Sequence, residues 1–258
     1  MIFESHAHYD DDKFNEDRDA VIRDALDHGI GRIINVAASI ESVKTSLELA
    51  EKYEEVYAAV GVHPSEIDGL KEESLLWIKE MAGHKKAVAI GEIGLDYYWE
   101  KDKTVQEEQR MWFQRQLDLA KELSLPVIVH SRDAAEDTLR ILKDERNQGI
   151  DGVIHCYSYS KEMAEEFLKL GFYIGVGGVV TFKNAKKLVE TVEAVPMERI
   201  LLETDCPYMA PEPHRGKRND SRYIPYVVET IARIKQLTTQ EVEDQAWANA
   251  MKLFHKVQ

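Results

Sequence analysis

Two histidines stand one residue apart near the start of the chain, His6 and His8 in "ESHAHYDDD". In an extended strand a spacing of two puts both side chains on one face. A packed apolar sheet has little use for two adjacent imidazoles, whereas one divalent cation accepts both. Comparable residues end later apolar runs: His63 in "VYAAVGVHP", Glu92 in "AVAIGEIGLDY", His130 in "PVIVHSR", His155 in "GVIHCYS", and Glu203 with Asp205 in "RILLETDCP". Glu92, Gly94 and Asp96 share a parity, as do Glu203 and Asp205. A single strand-end histidine is ordinarily structural, and His28, His84 and His255, on helices or their ends, are read that way. The recurrence is what points to a metal. Four histidines with two or three carboxylates suit a pair of divalent ions, and Glu92, from the middle of the strand order, is the natural bridge.

These residues need a scaffold that brings strand ends together. Eight short runs rich in Val, Ile and Ala, without clean polar alternation, read as parallel strands buried on both faces. Between them lie stretches with helical spacing: Glu16 to His28, Ile40 to Tyr53, Glu72 to Met81, Val105 to Leu123, Ala134 to Arg146, Lys161 to Leu170 and Ala185 to Val195. Two more, Ile224 to Lys235 and Thr239 to His255, close the chain, with Thr238 or Thr239 as a cap. Strand–helix alternation implies right-handed crossovers, and eight units in this length match a single α/β (β/α)8 TIM barrel spanning 1–258. An open doubly wound sheet is the alternative. In a barrel, all the candidate residues above meet at one mouth.

Composition narrows the functional classes. Of 258 residues, 44% are hydrophobic and 31% charged, as in a globular protein with a sizeable core. The formal charge of −14 argues against a protein that coats nucleic acid through a broad basic surface, but not against one that grips a phosphate locally. No run of ~18 apolar residues is long enough to span a membrane. The first residues, "MIFESHAH", lack the features of a secretory signal, and the two cysteines, Cys156 and Cys206, suit a reducing compartment. A cytoplasmic location is expected.

The segments "ESHAHYD", "GVHP", "AIGEIGLDYY", "VIVHSRDA", "IHCYS" and "LLETDCPYMAP" together resemble the signatures of TatD-type deoxyribonucleases, within the metal-dependent amidohydrolase superfamily. The resemblance runs from Phe3 to the last helix. It implies a metal-dependent phosphodiesterase acting on DNA, typically with magnesium (Zn²⁺ or Mn²⁺ also suit the donors), and a 3′→5′ exonuclease in several members. It implies metal ligands at His6, His8, Glu92, His130, His155 and Asp205, and a substrate-facing or supporting role for His63. After His155 the family normally has an aromatic, a small residue and a glycine. Here "HCYSYS" keeps the aromatic as Tyr157, a substrate-contact candidate, and lacks the glycine.

The implied mechanism uses two divalent cations, with Asp205 as base and ligand and Glu203 holding a water or a ligand histidine. Arg132 either forks onto a phosphate or forms a surface ion pair. "HRGKRN", with Arg215, either lies over the rim or is a solvated loop. "DYYW" either stacks an unpaired base or packs at a strand exit. "DDDKFNED" is read as a solvated loop and helix start. The expected partner is DNA, single-stranded or frayed at its ends, with no membrane or obligate protein partner. Hydrolysis of a small ester, lactone or amide is the competing activity, and a barrel that only binds is the competing class.

Overall fold

The computed structural model describes residues 1–258. Eight strands form one sheet in chain order: β1 (Ile2–Ala7), β2 (Ile30–Val36), β3 (Val56–Val60), β4 (Ala87–Asp96), β5 (Val127–Arg132), β6 (Gly152–Ile154), β7 (Tyr173–Val176) and β8 (Ile200–Leu202). Each neighbouring pair is parallel. The circuit closes just beyond β8, where Ala7 bridges Cys206. There the His8 N–H donates to the Cys206 carbonyl (2.9 Å) and the Asp205 N–H to the His6 carbonyl (3.0 Å). An open sheet is thereby excluded, and the (β/α)8 barrel stands.

Helices follow the strands as the spacing predicts: α1 (Arg18–Asp27), α2 (Ile40–Lys52), α3 (Glu72–Ala82), α4 (Lys103–Leu123), α5 (Ala135–Leu142), α6 (Lys161–Lys169), α7 (Lys186–Ala194) and α8 (Ile224–Lys235). α5 stops short of the expected Arg146. Asp144 accepts from the Arg146 N–H and opens a separate 3-10 turn, Glu145–Asn147. α9 (Thr239–Leu253) begins with a reciprocal cap between Thr238 and Glu241. No helix is long and apolar enough to cross a membrane.

Alternation along the strands sorts the core into two layers. Val127, Val129, Ile154, Ile174, Ile200 and Leu202 belong to the large cluster shared with the helices. Ile128, Val153, Tyr173 and Leu201 belong to a smaller cluster that also takes Phe3, Leu253, Phe254 and Val257. α9 therefore plugs the barrel from below: Phe254 stacks on Phe3 (6.0 Å), and the Asn249 amide donates to the carbonyls of Met197 and Ile200. Two residues further along the same face, the apolar floor becomes polar. Ile128 leads to His130, Val153 to His155, Leu201 to Glu203, and Tyr173 to Gly175. The period of two that fills the barrel also delivers the site residues to its mouth.

Candidate metal centre

At the centre is Glu92, buried on β4, whose two oxygens face different histidines. Oε2 lies 3.3 Å from His6 Nε2 and 3.4 Å from His8 Nε2. Oε1 lies 2.8 Å from His130 Nδ1 and 2.7 Å from His155 Nε2. Asp205 completes the first group, its Oδ1 being 3.5 Å from His8 Nε2 and 3.8 Å from His6 Nε2. It sits beyond the last ladder pair at φ 56°, a left-handed conformation that aspartate tolerates better than most residues. Three imidazole and carboxylate clusters here have donor atoms within 4.8 Å of one another. A carboxylate with one histidine pair on each oxygen fits divalent cations bound by nitrogen and oxygen donors.

The rings are oriented from behind. His8 Nδ1 lies 2.7 Å from the Val36 carbonyl, and His130 Nε2 lies 3.1 Å from Asp96 Oδ2. Asp96 is itself fixed by the N–H groups of Tyr98 and Trp99. Such outer partners aim a ligating nitrogen at its target. His63 differs. Its Nδ1 accepts the Ser65 N–H (3.1 Å), so the ring proton is on Nε2, 3.6 Å from Glu92 Oε1. Burial and the neighbouring His130 push the His63 pKa down to about 3, so it is a neutral donor at physiological pH. Burial alone would raise the Glu92 carboxyl, but the imidazoles of His155 and His63 and contacts from His130 hold it well below the usual range. Desolvation opposes charge on His130 as well, yet Asp96 and Glu92 lift it to about 9.

The cluster forms the floor of a cavity of about 480 Å³ whose rim includes Trp99, Arg132, Tyr208 and Met209. A larger hollow of about 1120 Å³ lies alongside, but acidic residues such as Asp12, Asp17, Asp19, Glu41 and Glu48 line it. No histidine lines that hollow, so the histidine-floored cavity is the candidate metal centre.

The chain from residue 3 to residue 255 matches the family model described as TatD related DNase. The chain belongs to the TatD family. Among relatives, the uncharacterized metal-dependent hydrolase YabD of Bacillus subtilis is 44% identical over 98% of this chain and 99% of its own length. YcfH of Escherichia coli, another uncharacterized metal-dependent hydrolase, is 36% identical over 99% and 96%. The crystal structure of the TatD homologue YjjV of Escherichia coli superposes with a TM-score of 0.91 at 33% identity, covering 98% of both chains. A lactonase of Deinococcus radiodurans shares the fold alone, with a TM-score of 0.67 at 15% identity.

Within this TatD-family barrel, the eight strand-end residues His6, His8, His63, Glu92, His130, His155, Glu203 and Asp205 gather at one mouth, together with Asp96. Arg132 is at the rim, its guanidinium 4.0 Å from the centroid of the Tyr98 ring and 5.6 Å from that of Trp99, rather than against a carboxylate. Two expected substrate contacts lie outside the cavity. Tyr157 is 2% exposed, with its hydroxyl donating to the Ser160 carbonyl. The chain leaves the strand at Cys156 (φ 45°), which turns the next side chain into the protein. Arg215 lies over Phe182 (4.3 Å) and is absent from the cavity lining.

Two more residues of "HRGKRN" are committed elsewhere. Arg218 pairs with both oxygens of Asp17, and His214 stacks on Tyr223. "DDDKFNED" is not merely solvated either. Asp10 accepts from the Asn35 amide (2.7 Å), Asp11 accepts from the Tyr208 hydroxyl (2.9 Å), and both acids border the cavity. Tyr208 and Met209 were not expected as lining. Their place directly after Asp205 and Pro207, within "DCPYMAP", is the signal that marks them.

Proposed function

We propose that this protein is a metal-dependent deoxyribonuclease that removes nucleotides from a DNA strand end, in the 3′→5′ direction, through two divalent cations. The observation that carries the reading is the divided Glu92 carboxylate under a rim where the Arg132 guanidinium lies over Tyr98 beside the exposed Trp99. His6, His8 and Asp205 would hold one ion, and His130 with His155 the other, Glu92 being shared. When bound, such ions lower the pKa of water and neutralise the oxygens of a phosphodiester, with Mg²⁺, Mn²⁺ or Zn²⁺ all suited to these donors.

The chain's own residues supply the rest. Asp205, ionised and partly open to the cavity, accepts the proton of the attacking water as the bond from phosphorus to the departing sugar oxygen breaks, and that oxygen takes up a proton from solvent in the open cavity. The His63 Nε2–H donates to a phosphoryl oxygen as negative charge grows there. Arg132 meets a neighbouring phosphate, and Tyr98 and Trp99 offer faces to an unpaired base. A cavity of about 480 Å³ is of small-molecule size, which suits a frayed end better than a continuous duplex.

The test is an unbiased panel of substrates and metals. Purified protein with Mg²⁺ or Mn²⁺ should shorten single-stranded DNA from its 3′ end and stop when chelator is added. Turnover of lactones, esters or dipeptides with intact DNA would replace this reading by the small-substrate one.

A further inference from the structure

The four histidines proposed as ligands are not all anchored alike. His8 has the Val36 carbonyl behind it and His130 has Asp96. His6 and His155 have neither, and the Nδ1 atom of each is buried without a partner. Both turn Nε2 towards Glu92, and their rings stack at 4.0 Å with 10° between planes. One more buried atom in the molecule shares this condition, Glu203 Oε2. Glu203 and the two histidines present donor atoms within 4.8 Å of one another. A histidine that binds a cation through Nε2 carries its proton on Nδ1, and that N–H needs an acceptor. Glu203 is the one carboxylate grouped with both rings in that cluster.

The carboxylate has a built seat. Its Oε1 accepts the Cys156 N–H at 2.5 Å, which aims Oε2 into the barrel. Space for it exists because residue 175 on β7 is glycine, where a Cβ would come within 2.1 Å of Oε2. A strand interior gains nothing else from that glycine.

We propose that Glu203 is a positioning residue that anchors one histidine from each half of the centre, His6 from one and His155 from the other, and so couples the two cations. Loss of this one carboxylate loosens both ions. Loss of Asp96, which stands behind His130 alone, loosens one. The inference rests on the two-cation centre proposed above, and its test needs no substrate, so a failed nuclease assay leaves it intact.

The experiment titrates metal-free protein with Mn²⁺, following heat of binding and the electron paramagnetic resonance signal of a coupled pair. Wild type should take two ions and show the coupled signal. Glu203→Gln should weaken both by roughly 10- to 100-fold, the range for lost outer partners of metal ligands. Glu203→Asp should recover part of the loss, and Asp96→Asn should weaken a single ion. Melting of the metal-free variants checks folding. Should Glu203→Gln not fold, Gly175→Ala displaces the Glu203 side chain without altering its chemistry, and the same double weakening is expected. The proposal is overturned by affinities within two-fold of wild type, by weakening of one ion only, by a wild type that binds a single ion, or by a third ion lost specifically in Glu203→Gln.

Discussion

At the residue scale, the centre depends on charge placed where cations and protons must be handled. Asp205→Asn keeps the shape but removes the proton acceptor, so activity should fall by about 10²- to 10⁴-fold. Its melting temperature should stay close to wild type, and a collapsed fold would mean the carboxylate is structural. A second expectation concerns pH. In the metal-free protein His130 is raised to about 9 by Asp96 and Glu92 against desolvation. A cation arriving near neutral pH therefore displaces a proton. Metal affinity should rise as pH is raised from about 6 to 9, with proton release measurable by titrating in buffers of different ionisation enthalpy; a flat profile would sink this assignment. The clustering of these residues was legible in sequence because parity along a strand fixes which side chains share a face. Tyr157, a candidate by resemblance alone, turns inward because the alternation ends with β6 and the left-handed Cys156 redirects the residue after it.

At the element scale, strands and helices were readable because apolar runs and helical spacing are local properties. The loops were not, because their contacts join distant segments. Arg218 is held by Asp17, 201 residues away, and nothing near "HRGKRN" announces that pairing. The loop after β4 gives the opposite case. "DYYW" places Trp99, 71% exposed, over the cavity with Tyr98 beneath Arg132. Trp99→Ala should raise KM for single-stranded DNA by the equivalent of about 1–3 kcal/mol, the cost of one lost base stack. Stability should hardly change, since the ring is already in water. Unaltered KM would make the aromatic pair a mere exit from the strand.

At the scale of the whole molecule, site and plug sit at opposite ends of one barrel, so they can be probed separately. Cations bound only by the folded chain stabilise it by mass action, about 2.7 kcal/mol per site at a hundredfold excess over Kd. Chelator should therefore lower the melting temperature of the wild type, and an unchanged melt would argue against a resident metal. The overall charge of −14 averages over the whole surface and does not describe the handful of side chains at the rim. The seam between the first strand and the residues after the last has one more implication. The hydrogen bonds that shut the barrel belong to His6, His8, Asp205 and Cys206. A nascent polypeptide still short of residue 205 has every histidine of the cluster and yet cannot close the barrel around it. The cluster at the mouth is therefore assembled only late in synthesis.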